Sequence, residues 1–237
     1  MKPEAVIFDL DDTILADDAV YEKAWGVVFE KPIPQASSLD VPRLRAAIKQ
    51  AGEWYYGDPE RLRRAGQNLF AARCEVVTIA LSGLGVDDPR LARELATSYG
   101  EEKEKAMFVY PGAIETISHF WKEGIPLALL TNGSSEYQRK KIDRFGLAPF
   151  FSHILIEGEL GMGKPDERVF RHALEMLGVA HPSETWMVGD RLETDVRPAQ
   201  KLGIYAIWVD WRGEGLPGPS SVQPDRIIRG ISELLQR

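Results

Sequence analysis

The chain has 237 residues and a formal net charge of −7, with 29 Lys and Arg residues against 36 Asp and Glu residues. This length can form one large domain or a domain that carries a sizeable insertion. An acidic chain without a basic run is a poor partner for nucleic acid, and no apolar stretch reaches the ~20 residues of a membrane span. We therefore expect a cytoplasmic protein, and its single cysteine excludes an internal disulfide.

The chain opens with an apolar segment that ends in closely spaced acids. Asp9 and Asp11 follow a predicted buried strand, two residues apart. Side chains at every second residue of an extended segment point to the same side, so both carboxylates can reach one point. A hard divalent cation such as Mg²⁺ would relieve the repulsion between them. A strand followed by an acidic turn that caps the next helix would give a similar pattern.

Residues 17–107 are predicted to be almost entirely helical. Apolar residues at helical spacing indicate a first helix within residues 19–29. Three further helices are predicted to begin near Asp40, Asp58 and Asp88, because each aspartate can cap a helix whose first turn contains a proline. Four consecutive helices without an intervening strand predict a small bundle.

From Gly112 onward, predicted helices alternate with apolar strands. The predicted strands are residues 126–130, 153–156, 185–188, 205–209 and 226–228, and the predicted helices are residues 114–122, 136–145, 167–177 and 196–202. This alternation predicts an α/β fold with a doubly wound parallel sheet. Such sheets bind ligands at the carboxyl ends of their strands, where the sequence places Asp9, Thr131 and Asp190.

Four short motifs follow one another along the chain. Residues 9–13 have the pattern Asp-x-Asp-x-Thr, and the apolar run at residues 127–133 ends in Thr-Asn-Gly. Residues 163–166 are Gly-Lys-Pro-Asp, and residues 189–195 have the pattern Gly-Asp-x-x-x-x-Asp. In this order the motifs resemble those of the haloacid dehalogenase-like superfamily of phosphohydrolases. The helical insertion and the fourth motif look closest to the N-acylneuraminate-9-phosphatase and pyrimidine 5′-nucleotidase branch.

The resemblance implies a two-part architecture. A Rossmann-like catalytic core would comprise residues 1–16 and 108–237, and an inserted α-helical bundle cap would comprise residues 17–107. Specificity in this superfamily lies in the cap, whose candidate substrate contacts are Trp25, Trp54, Tyr55, Tyr56, Arg61, Arg63, Arg64 and Arg73.

Roles in phosphate ester hydrolysis also follow from the resemblance. Asp9 would attack phosphorus to form a phosphoaspartyl intermediate, and Asp11 would protonate the leaving group and later activate water. Lys164 would screen Asp9 from the phosphate charge.

The second motif would bind the phosphoryl group. By resemblance, Thr131 would donate its hydroxyl, and Asn132 and Gly133 their backbone amides, to phosphoryl oxygens in front of a helix N-terminus. Without the other motifs, Asn-Gly would be interpreted as a plain turn.

A magnesium site would lie beside the nucleophile. The resemblance assigns Mg²⁺ to the Asp9 carboxylate, the Asp11 backbone carbonyl and Asp190. Asp195 would support this site by orienting Lys164 or a metal-bound water.

The implied function is a Mg²⁺-dependent phosphomonoesterase that acts on a small phosphorylated metabolite, as a monomer or homodimer. A sugar phosphomutase would share all four motifs, whereas a 2-haloacid dehalogenase lacks the second aspartate, so Asp11 argues against it. A non-catalytic phospholigand-binding module would be expected to have lost Asp9, Asp11 or Lys164.

Overall fold

The computed structural model of the protein describes residues 2–31, 39–218 and 222–236. The chain divides into two compact units. The first, here called the sheet unit, comprises Met1–Ala16 and Phe108–Arg237, and the second, the helical unit, comprises Asp17–Met107.

Six parallel strands form the sheet, which confirms the predicted fold class. They are β1 (Ala5–Phe8), β2 (Leu127–Thr131), β3 (His153–Ile156), β4 (Thr185–Gly189), β5 (Tyr205–Val209) and β6 (Arg226–Ile228). Their spatial order is β3-β2-β1-β4-β5-β6, with every neighbouring pair parallel. The order changes direction between β1 and β4, and a crevice for ligands forms at such a point, outside the carboxyl ends of the strands.

The helical unit contains five α-helices in the described ranges, one more than predicted. They are α1 (Tyr21–Glu30), α2 (Val41–Tyr56), α3 (Pro59–Gln67), α4 (Leu69–Gly83) and α5 (Pro89–Ala106). The predicted third helix is two helices because Asn68 leaves the helical conformation, with φ −147° and ψ 82°. Its side chain accepts a hydrogen bond from the Ala71 amide at 2.9 Å and so caps α4.

Three aspartate caps in the helical unit confirm the predicted helix starts. The side chains of Asp40, Asp58 and Asp88 accept hydrogen bonds from backbone amides three residues on, at 3.2, 2.9 and 3.0 Å. Each cap is followed by a proline in the first turn, which fits because a first-turn amide has no partner within the helix.

Helices cover both faces of the sheet. They are α6 (Ala113–Lys122), α7 (Ser135–Arg144), α8 (Glu157–Leu160), α9 (Glu167–Leu177) and α10 (Arg197–Lys201). Two successive residues of β1 face opposite sides of the sheet. Ile7 belongs to the hydrophobic cluster that contains Phe170 of α9, whereas the centre of the Phe8 ring lies 6.4 Å from that of Phe120 in α6. None of the helices in the described ranges is both long and apolar enough to cross a membrane.

Candidate active site

Asp9 lies directly after β1 and is held on several sides. Its amide donates to the Val188 carbonyl of β4 at 2.9 Å, which fixes the backbone at the edge of the sheet. The side chain is buried, at 8% exposure. One carboxylate oxygen accepts a hydrogen bond from Lys164 Nζ at 2.5 Å, and the other accepts one from the Thr13 hydroxyl at 3.4 Å. The carboxylate therefore has a fixed position beside a buried ammonium.

Asp195 holds Lys164 from the other side. Its Oδ1 lies 2.6 Å from Lys164 Nζ, and its Oδ2 accepts a hydrogen bond from the Arg191 amide at 2.9 Å. A single turn of π-helix, Leu192–Val196, carries Asp195 over the end of β4. A Cβ atom on Gly189 would collide with the Asp195 carboxylate, so this close approach requires glycine. Both Asp195 oxygens are thus engaged in positioning Lys164 and the loop.

Three carboxylates converge at this edge of the sheet. Asp9, Asp190 and Asp195 each offer an oxygen, and these three atoms lie within 4.8 Å of one another. When all three carboxylates are ionised, their charge exceeds that of Lys164 by two, and a divalent cation would balance this excess and so favour the ionised forms. Carboxylate oxygens are the ligands that Mg²⁺ prefers. Of the predicted magnesium ligands, the structure brings the Asp9 and Asp190 carboxylates together, and the Asp11 backbone carbonyl stays a predicted ligand.

Burial and mutual repulsion favour the neutral forms of Asp9 and Asp190. Burial raises the pKa of Asp9 to about 7; the positive charge of Lys164 opposes the shift, and Asp195 adds to it. Burial, followed by the charges of Asp9 and Asp195, raises the pKa of Asp190 well above its usual range. Burial lowers the pKa of Lys164, but Asp195 and Asp9 outweigh it, and the net shift is upward. Lys164 therefore stays charged at neutral pH.

This electrostatic arrangement predicts a pH-dependent stability for the metal-free protein. The Asp9 carboxyl binds its proton more tightly when folded, with a pKa of about 7, than at its ordinary value of 3.8. Its contribution to the free energy of unfolding is full below the ordinary value and is lost as the pH rises through about 7. In EDTA, the Tm of the protein relative to Asp9→Asn should therefore fall from about pH 5 to about pH 8. A difference that stays constant over this range would contradict the raised pKa.

Asp11 contacts a lysine and a glutamine of α7. Lys141 Nζ donates to both Asp11 oxygens, at 2.5 and 2.6 Å, and is almost fully buried. Gln138 Nε2 lies 2.9 Å from Asp11 Oδ2 and 2.8 Å from the Thr131 hydroxyl oxygen. The Asp11 side chain itself is 29% exposed. The carboxylate is therefore held by α7 and remains partly open to solvent.

The loop after β2 uses its polar groups in two different ways. The Asn132 side chain exchanges two hydrogen bonds with the backbone of Lys164, at 2.7 and 2.8 Å, and so ties the second motif to the third. A Cβ atom on Gly163 would lie 2.7 Å from Asn132 Oδ1, so glycine keeps this contact possible. The Gly133 amide donates to the Glu157 carboxylate at 3.0 Å. Because a carboxylate occupies this amide, we do not retain Gly133 as a phosphate contact.

The sequence analysis missed three residues at this site: Gln138, Lys141 and Glu157. A signal was available for the first two, because they lie three residues apart on α7 and share the helix face of the buried Ile142. Polar residues on an inward helix face indicate buried partners. No comparable signal marks Glu157, since its helix has only four residues and was not predicted.

The predicted substrate contacts of the helical unit are largely engaged within that unit. Trp25 and Tyr55 are buried in its hydrophobic core, at 4% and 2% exposure. The Arg61 guanidinium lies 3.7 Å from the centre of the Trp54 ring and donates to the backbone carbonyls of Trp54 and Tyr55. Trp25 and Tyr55 therefore belong to the core of the helical unit, and Arg61 stabilises the C-terminal end of α2.

Comparisons with known proteins agree with this geometry. The profile of the haloacid dehalogenase-like hydrolase family matches residues 3–203. Phosphoserine phosphatase of Thermus thermophilus is 44% identical over 147 residues, which cover 62% of this chain and 57% of that protein. N-acylneuraminate-9-phosphatase of Rattus norvegicus, from the branch suggested by the motifs, is 32% identical over 151 residues, covering 63% of this chain and 60% of that protein.

The fold also matches solved structures. The magnesium-bound crystal structure of the HAD-hydrolase YfnB from Bacillus subtilis gives a TM-score of 0.76 at 24% identity, covering 99% of this chain and 97% of that chain. At this level of identity the match supports the fold. The comparison of activity comes from the two phosphatases, and this chain spans 57% and 60% of their lengths.

Proposed function

The chain belongs to the haloacid dehalogenase-like hydrolase family, and we propose that it is a Mg²⁺-dependent phosphomonoesterase that acts on a small phosphorylated metabolite in the cytoplasm. The observation that carries the proposal is the buried Asp9 carboxylate, 2.5 Å from Lys164 Nζ and beside Asp190 and Asp195. A fixed carboxylate beside a cation and an acidic metal site suits in-line attack on phosphorus.

Asp9 is the nucleophile in this proposal and forms a phosphoaspartyl intermediate. Attack requires its ionised form, and Lys164 favours that form because it lies against one carboxylate oxygen. Lys164 also places a positive charge where the phosphoryl oxygens would gather negative charge. Asp195 keeps the ammonium in place.

Asp11 is the proposed general acid and base. It is two residues from Asp9 and partly exposed, so a leaving alkoxide and later a water molecule can reach it. Thr131 is the last residue of β2, and Asn132 follows it at the same edge of the sheet. The Thr131 hydroxyl and the Asn132 amide are the proposed phosphate contacts, together with Lys164.

The Asp9 and Asp190 carboxylates and the Asp11 backbone carbonyl are the proposed magnesium ligands. The fit rests on the convergence of three carboxylate oxygens within 4.8 Å, with two negative charges in excess of Lys164. Bound Mg²⁺ would neutralise charge on the nucleophile and on the phosphoryl group. Asp195 has the supporting role in this proposal, because it contacts the Lys164 ammonium and the Arg191 amide.

The alternatives of the same family explain less of this arrangement. A 2-haloacid dehalogenase has no need for a second acid, yet Asp11 is held by buried side chains of α7. A sugar phosphomutase would need the phosphoryl group to return to a second hydroxyl of the sugar, and nothing in the described residues specifically favours that step.

We expect phosphate release to require Mg²⁺. The purified protein should hydrolyse p-nitrophenyl phosphate and at least one ester from a panel of phosphoserine, N-acylneuraminate 9-phosphate and sugar phosphates. EDTA should abolish the release and added Mg²⁺ should restore it, whereas Ca²⁺ should not, because its looser coordination disturbs in-line geometry. Equal rates in EDTA would reject the metal site. Chloride release from 2-chloropropionate without phosphate ester hydrolysis would favour the dehalogenase.

A further inference from the structure

Helix α7 presents a buried lysine to the proposed acid/base group. Lys141 is 4% exposed, and its Nζ lies 2.5 and 2.6 Å from the two oxygens of Asp11. Burying an ammonium costs free energy unless a partner of opposite charge compensates for it. A contact to both oxygens also fixes the plane of the carboxylate, which a contact to one oxygen would leave free to rotate. Packing α7 against the sheet alone would not require a charge at this position.

Gln138 connects the same carboxylate to the phosphate-binding loop. It is 2% exposed, and its Nε2 lies 2.9 Å from Asp11 Oδ2, 2.8 Å from Thr131 Oγ1 and 2.5 Å from the Asn132 carbonyl oxygen. One amide group thus contacts the first motif and the second at once. The relative positions of Asp11 and Thr131 are therefore set by a side chain that belongs to neither motif.

We infer that Lys141 and Gln138 are positioning residues that orient the Asp11 carboxyl group toward the leaving group of the substrate. This inference rests on the proposed function, because it gives Asp11 the acid/base role. Neither residue contacts the reacting atoms, and both act through the orientation of Asp11. General acid catalysis needs a protonated acid within hydrogen-bond distance of the leaving oxygen. Asp11 takes this proton from solvent through its exposed part and passes it to the leaving oxygen, so the ion pair with Lys141 forms again once the phenol has left. A rotated carboxyl group would lose this proton transfer while phosphoryl binding stays intact.

The dependence of the rate on the leaving group separates this role from a structural one. A weakly acidic phenol needs a proton as it leaves, whereas p-nitrophenol leaves readily as the anion. Comparing aryl phosphates of similar size keeps the binding contacts constant. The value of kcat/KM reports steps only up to the release of the phenol, so slow hydrolysis of the phosphoaspartate does not mask the effect.

We expect Lys141→Met to reduce kcat/KM for phenyl phosphate by ~10-fold or more, up to the ~10²–10⁴-fold that acid–base catalysis contributes. For p-nitrophenyl phosphate the loss should stay within about threefold. Lys140→Met is the matched control, because Lys140 is the neighbouring lysine of α7 and is exposed. It should leave both rates unchanged.

A second variant keeps the test decisive if Lys141→Met does not fold. Gln138→Met, which has similar size without the amide, should also lose more activity on phenyl phosphate than on p-nitrophenyl phosphate. Folded variants that lose both activities equally, or neither, would overturn the inference. If the wild-type protein hydrolyses neither ester in Mg²⁺, the proposed function fails instead, so the two failures are distinguishable.

Discussion

Replacing Asp9 with asparagine should reduce phosphate release to the background level while the protein stays folded. The amide has the size of the carboxylate but is a poor nucleophile, so no phosphoaspartate can form. Lys164 keeps a side-chain oxygen to donate to, the amide nitrogen can donate to the Thr13 hydroxyl in place of accepting from it, and the backbone bond to Val188 is unaffected. Phosphate release from p-nitrophenyl phosphate in Mg²⁺ measures turnover, and circular dichroism with the Tm measures folding.

The matched control is Asp143→Asn, an exposed aspartate of α7. It should retain full activity and Tm. Near wild-type turnover by Asp9→Asn, in a preparation free of contaminating phosphatase, would falsify the phosphoaspartyl mechanism. Loss of activity together with loss of the folded signal would show instead that the Asp9 charge is needed for folding, and trapping of a phosphorylated wild-type enzyme would then decide the mechanism.

The fold of the sheet unit could be predicted because each strand is a short apolar run with clear boundaries, and because strands alternate with helices along the chain. A parallel strand that is covered on both faces is apolar throughout, and β1 is an example because all four of its residues are buried. The order of the strands was not encoded locally, since it depends on which apolar faces the helices cover.

The helical unit shows where local signals fail. The segment around Asn68 has good helix formers on both sides, and only the capping hydrogen bond to Ala71 divides it into α3 and α4. Asparagine in the interior of a helix and asparagine as the cap of a new helix differ little in free energy. The prediction of one continuous helix was therefore reasonable. Tertiary packing decides between such alternatives.

The candidate site was predictable at the residues that belong to the sequence motifs. Asp9, Lys164 and Asp190 stand in motifs, and the structure places them at one edge of the sheet. The partners of Asp11 stand in no motif, and the sequence marks Lys141 and Gln138 only by the helix face that they share with Ile142. Their burial depends on how α7 packs beside β1 and β2. The engagement of the Gly133 amide by Glu157 similarly depends on a contact between residues distant in sequence.

Replacing Lys164 with methionine should remove activity and also destabilise the protein. Methionine fills similar space but leaves Asp9 and Asp195 without the ammonium that lies 2.5 and 2.6 Å from them. Removing one partner of a buried ion pair costs ~3–5 kcal/mol of unfolding free energy when the remaining charges cannot be neutralised. In this protein the charge of Asp9 can be neutralised by a proton, because the pKa of Asp9 is already raised to about 7 and would rise further without Lys164.

The stability loss of Lys164→Met should therefore depend on pH. At about pH 5 Asp9 takes up a proton and the Tm should fall only modestly, whereas at about pH 8 the buried Asp9 would have to ionise without its cation and the Tm should fall most. Lys201→Met, at a lysine whose side chain is 60% exposed, is the control and should show little change at either pH. Adding Asp195→Asn to Lys164→Met removes one of the unpaired charges, so the double variant should recover part of the Tm in EDTA at about pH 8. A Tm loss that is equal at both values of pH, and is not relieved by Asp195→Asn, would mean that Lys164 stabilises the fold by packing and not by balancing the acids around Asp9.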